Sequence, residues 1–133
     1  MIGLDIEGKL RARVRGKLPD TVTIRDTYQP IAAKFPLLTL RVMNHAVYEA
    51  TVDSGSLENH AVIDVEVEVF TNAEGVKKNQ AWEIMDAADF AVRSMGFVRK
   101  SCVPTPNLAD STVYRLTARY RGVVDEKNNV YRR

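Results

Sequence analysis

The chain has 133 residues, 45% apolar and 27% charged, with a net charge of +2, which fits one domain over residues 1–133 around a single core. No apolar run approaches the ~20 residues that span a bilayer. The first ten residues, MIGLDIEGKL, put acids where a secretory signal needs bases, so the expectation is synthesis in the cytoplasm and no membrane partner.

In chain order, the first predicted element is a helix over residues 2–18. Ile2, Ile6, Leu10, Val14 and Leu18 recur every four residues, which lines them along one helical face. Gly3, Gly8 and Gly16 each weaken it by ~1 kcal/mol relative to alanine. Pro19 ends it, because the residue before a proline avoids the helical region. Thr21–Arg25 reads as a short strand, and residues 27–34 as an irregular crossing around Pro30. Phe35-Pro36 leads into a strand over Leu37–Met43, and Ala46–Val52 continues as strand or extended edge. Asp53-Ser54-Gly55-Ser56 is a turn. Ile63, Val65, Val67 and Val69 then alternate with Asp64, Glu66 and Glu68, the pattern of a strand with one apolar and one carboxylate face.

Thr71 and Glu74 have the spacing of a capping box, and a helix is predicted over residues 76–95. Ala81, Ile84, Met85, Ala88, Val92 and Met95 form its core-facing stripe, flanked by Trp82 and Phe90. Gly96 suits a left-handed stop. Residues 97–103 read as a strand, Pro104-Thr105-Pro106 as its break and Asn107–Asp110 as a turn. In the final strand, residues 112–121, Tyr114, Leu116, Ala118 and Tyr120 alternate with Arg115, Thr117, Arg119 and Arg121. The expected class is α+β: a mostly antiparallel sheet of four to five strands with an N-terminal helix and one long helix packed on it.

Charge is divided along the chain. Residues 1–43 carry +4, residues 44–92 carry −8 and residues 93–133 carry +6. Acidic and basic strands side by side in one sheet explain this simply, and so do subunits that meet acidic face to basic face. The rows Asp64, Glu66, Glu68 and Arg115, Arg119, Arg121 are the candidate residues. If their strands are adjacent, the rows pair within the sheet at about 0.2–1 kcal/mol per pair. If not, both rows remain for neighbouring subunits, which is the preferred expectation. The carboxylate row itself is expected to be solvated, with residues two apart on a strand spaced by ~6.5–7 Å.

Nothing in the chain makes an argument for catalysis or for a cofactor or metal. Cys102 is the one cysteine, which rules out an internal disulfide and a multi-cysteine zinc site. His45 and His60 stand at no metal-ligand spacing with each other or with Cys102. Phosphate-cradling and nucleophile-elbow glycine motifs are absent. Lys9, Arg11, Arg13, Arg15 and Lys17 spread around the first helix, which suits solvation, though basic residues can also touch nucleic-acid phosphates without sequence preference.

The run from Cys102 to Tyr120, CVPTPNLADSTVYRLTARY, preceded by Gly96-Phe97, resembles the C-terminal signature of the tail terminator (tail-completion, head–tail joining) proteins of tailed bacteriophages and prophages. Phe35-Pro36, Tyr48-Glu49-Ala50-Thr51, Asp53-Ser54-Gly55 and the ending Tyr131-Arg132-Arg133 are similar as well. The resemblance covers roughly residues 30 to 133 and leaves residues 1–26 outside it. It implies a non-enzymatic structural protein of the virion, made in the bacterial host cytoplasm. Such a protomer closes into a ring, commonly a hexamer, capping the tail tube. Its implied partners are itself, the tail tube protein and a head-completion or connector protein, with DNA passing through the channel. The loops holding Asp53, Ser54 and Gly55, and Pro104, Pro106, Asn107 and Asp110, are then the expected axial contacts. Two alternatives stand beside it: a head-completion protein of the same junction, and a small α+β nucleic-acid-binding module using Arg115–Arg121.

Overall fold

The computed structural model describes residues 5–26, 34–47, 60–106, 111–125 and 130. Two helices, α1 (Ile6–Arg15) and α2 (Lys77–Ser94), accompany five strands: β1 (Thr23–Arg25), β2 (Leu37–Val47), β3 (His60–Thr71), β4 (Val98–Pro104) and β5 (Tyr114–Asp125). All five strands lie in one sheet of order β1-β2-β3-β5-β4. Only β1 and β2 run parallel; every other pair is antiparallel. The α+β class expected from the sequence is the observed one, with an N-terminal and a long helix on a mostly antiparallel sheet.

Both helices pack on the same face of the sheet. Ile6, Leu10 and Val14 of α1 meet Leu38 and Leu40 of β2, while Ala81, Ile84, Met85, Ala88, Ala91 and Val92 of α2 complete one core with Ile63, Val65, Val67 and Val69 of β3 and Leu116, Ala118 and Tyr120 of β5. The period of four along α1 and of two along β3 and β5 thus meet in a single layer. The opposite face carries a small second cluster at one end, Leu37, Phe70 and Val113 with Phe35 against it. Among the described residues no helix covers that face.

Local departures from the expected boundaries have clear causes. Helix α1 stops at Arg15, and Leu18 stays buried beyond it. The guanidinium of Arg15 donates to the carbonyls of Val22 (2.7 Å) and Pro19, which holds the chain in a turn where another helical turn was expected. The capping box is not formed. Thr71 ends β3, its hydroxyl donates to the Lys77 carbonyl (2.7 Å), and α2 begins after Val76 without a side-chain cap. Gly96 is the left-handed stop, with φ of 104°. Beyond it the Phe97 ring lies so close to Gly122 that an added Cβ there would come within 2.8 Å of two ring carbons. The turns at Asp53-Ser54-Gly55 and Asn107–Asp110 lie outside the described residues.

Candidate functional site

Strands β3 and β5 are neighbours, in a register that sets Asp64 opposite Arg121, Glu66 opposite Arg119 and Glu68 opposite Thr117, two residues from Arg115. The two charged rows therefore pair within one chain. Arg121 Nε donates to Asp64 Oδ1 at 2.7 Å. Arg119 reaches Glu66 Oε2 at 3.4 Å, and Arg41, on the other neighbouring strand, reaches Glu66 Oε1 at 3.2 Å. Arg115 binds Glu68 Oε2, which also accepts from the Thr117 hydroxyl at 3.0 Å. This corrects two expectations. The rows are adjacent, so the condition on which they were left wholly to other subunits is not met. The carboxylates are not a solvated row either: Glu66 is 4% exposed and Glu68 7%.

Their burial follows from where β3 sits. It is flanked on both sides, so Glu66 is roofed by Arg41 from β2 and Arg119 from β5, while Glu68 and Asp64 lie under Arg115 and Arg121 of β5. The result is layered, with carboxylates beneath and guanidinium groups above. Arg119 is 58% exposed along its side chain and makes one long contact, so most of its five donors still point outward. Lys100 joins Arg119, Arg121 and Asn44 around Asp64 in a shallow hollow of about 310 Å³. The hydrogen bond from Arg121 holds the Asp64 carboxyl below the ordinary carboxylate value, against the opposing effect of burial. Burial raises Glu68, but the Arg115 hydrogen bond and charge outweigh it, and the net direction is down. These carboxylates stay ionised and keep the guanidinium groups oriented.

A second polar group lies on the helix side. Asp89 of α2, buried within the apolar stripe, accepts the Tyr120 hydroxyl at 2.7 Å and takes Arg99 at 3.1 Å and Arg93 at 3.4 Å. Trp82, Met85, Asp86, Arg99 and Cys102 complete a hollow of about 350 Å³ between α2 and β4. Burial and the Asp89 charge push the Tyr120 hydroxyl far above its usual value, and burial raises the Cys102 thiol. At neutral pH this site holds a phenol and a thiol, not a phenolate and a thiolate.

The remaining sequence candidates fall into separate places. His45 and His60 sit in β2 and β3; among the described residues no cluster of His, Cys, Asp and Glu is arranged to hold a metal ion. The basic residues of α1 have different partners: Arg11 reaches Glu7 (2.7 Å) and Asp26 (2.5 Å), Arg13 the Ser94 hydroxyl (3.4 Å), and Lys17 lies over the Phe90 ring (5.5 Å). Pro104 closes β4 and Pro106 is exposed after it. The other expected axial-contact residues, Asp53, Ser54, Gly55, Asn107 and Asp110, are outside the described residues.

Sequence reasoning missed Arg41 and Asp89. Arg41 alternates with Leu40 and Val42 in β2, a signal available beforehand, whereas the role of Asp89 depends on Tyr120, 31 residues away. Trp82 and Phe90, expected beside the core stripe, are 39% and 63% exposed on the outside of α2. Compared with known proteins, the chain matches no family model and no curated protein sequence.

Proposed function

We propose that this chain is a structural subunit of a ring of the tail terminator kind, acting by binding and not by catalysis. The observation that carries the reading is the ordered run from Gly96 to Tyr120. Its described pieces lie together: the glycine stop of α2 leads to the Phe97 ring, packed on Gly122 just beyond the run, and to the β4–β5 pairing. A sheet whose described helices lie on one face, with a preoriented guanidinium surface on the other, suits a subunit that meets other proteins through a rigid polar face. Such a ring ends tube growth by occupying the exposed face of the last tube subunits and presenting a different face to the head connector.

A nucleic-acid-binding reading draws on the same exposed arginines. Tyr120, on the same strand as those arginines, is buried on the helix side, and the exposed aromatics Trp82 and Phe90 lie on α2, away from them. The deciding experiment adds the protein to polymerising tail tube subunits and measures tube length by electron microscopy. Shortened tubes with density at one end are the expected result. Tubes of unchanged length, with the protein bound instead to a head connector, would move it to the other side of the junction. Salt-sensitive retention on an oligonucleotide without either effect would favour the nucleic-acid reading.

A further inference from the structure

The outward side of α2 carries a ridge that the fold engages at its two ends, where Trp82 Nε1 donates to the Tyr114 hydroxyl (3.2 Å) and Lys17 lies over the Phe90 ring (5.5 Å). Trp82, Asp86 and Phe90 follow one another at intervals of four and stand in line along the helix, with Glu83 beside them. Two large aromatic side chains are left half in water there. The acids Asp64, Glu66 and Glu68 of the sheet and Asp89 of α2 are each matched by an arginine; Glu83 and Asp86 have no ion pair among the described residues. The opposite side of the protomer, across the sheet, presents the heads of Arg41, Arg119 and Arg121 with donors to spare.

We infer that the α2 ridge is the docking surface for the guanidinium face of a second copy of this chain. The inference rests on the self-assembling reading above and adds which two surfaces meet. A guanidinium group suits both features of the ridge, because it stacks on an aromatic face and pairs with a carboxylate in the same approach. The two surfaces lie on opposite sides of one protomer, so they cannot meet within it. A two-fold contact would set arginine against arginine or acid against acid. What remains is a head-to-tail contact, the kind that closes into a ring.

Sheet extension is the obvious rival mode of self-assembly, and both edges are built against it. At β4 a bulge between Arg99 and Ser101 throws out Lys100, and Pro104 ends the strand without a donor. At β2, beyond the end of β1, the Glu7 carboxylate accepts the Val42 amide (2.9 Å) and Arg11 donates to the Leu40 carbonyl (3.1 Å). Association is thereby directed to faces.

The test uses the single tryptophan of the chain, Trp82, which stands on the ridge and reports its burial. Solution mass by light scattering and Trp82 emission are followed over a concentration series for the parent, Asp86→Arg, Arg119→Glu and the double variant. We expect the parent emission to shift to the blue as mass rises. Each single variant should weaken association by at least about tenfold. Asp86→Arg should leave the melting temperature little changed, whereas Arg119→Glu should also lower it by setting a second acid beside buried Glu66. The double variant should recover association. Assembly with unshifted emission, or single variants that associate like the parent, would overturn the interface while leaving self-assembly standing. A parent that is monomeric at every concentration would overturn both, and tube capping would then be judged by the tube-length experiment alone.

Discussion

Glu66 is one carboxylate under two guanidinium groups, and its burial makes the cluster asymmetric. Its arginines are half in water and can be rehydrated if the acid is removed, whereas the acid cannot be if they are. Truncating Arg41 and Arg119 together to methionine should therefore cost about 3–5 kcal/mol, the range for an uncompensated buried charge, and Glu66→Gln distinctly less. Urea unfolding of both variants gives the comparison, and a larger loss for Glu66→Gln would contradict it. Glu68 sets a pH dependence. Its folded pKa lies below its unfolded value, so its contribution is fully present above about pH 4.3 and is lost as pH falls through the folded value. The stability gap between the parent and Glu68→Gln should narrow as pH is lowered from about 6 to about 3 in urea melts; a constant gap would remove Glu68 from the acid limb. Tyr120 has its hydroxyl on a buried carboxylate, and Tyr120→Phe should cost about 1.5–3 kcal/mol, the range for a hydrogen bond to a charged group.

At the scale of elements, α1 does more than cover the core. Its Glu7 and Arg11 complete the hydrogen bonding of β2 where the three-residue β1 runs out, so a helix side chain stands in for a missing strand. Glu7→Ala should speed amide exchange at Val42 by about tenfold, the equivalent of ~1.4 kcal/mol, while leaving amides in β3 nearly unchanged. Equal acceleration in both strands would mean that α1 acts only through global stability. The junction between α2 and β4 is as closely determined. Gly122→Ala forces the Phe97 ring to move and should destabilise by about 1–3 kcal/mol, as overpacking does. A smaller side chain at the other position, in Gly122→Ala with Phe97→Leu, should cost less than the sum of the two single changes, which thermal melts of the three variants would measure.

Over the whole molecule, two helices on one side of a five-stranded sheet leave the two faces with opposite tasks. One face is an apolar core; the other carries, beside the small Leu37, Phe70 and Val113 cluster, an ionic layer whose upper level is arginine. The division of charge along the sequence, acidic in its middle and basic at its end, becomes a layer of acids in the central strand beneath basic residues from its two neighbours. Arginine heads at the surface are screened by salt while the buried acids are not. Raising salt should therefore weaken association between copies much more than it lowers the melting temperature, and light scattering beside thermal melts in one salt series compares the two directly.

The sequence by itself determined the elements and the class. The alternation in residues 63–69 and 114–121, the four-residue period in α1 and α2, and the glycine after α2 are local signals, produced by backbone geometry that each segment carries with it. It also identified the two charged rows. What it could not determine was whether the rows are neighbours, because strand order depends on which apolar faces share a core, and that is a property of the whole chain. Only the tertiary structure placed β5 beside β3, roofed Glu66 with Arg41 as well as Arg119, matched Asp89 to Tyr120, and turned Trp82 and Phe90 outward. Each of these joins residues far apart in sequence, and each is fixed by packing, which no window along the chain can contain.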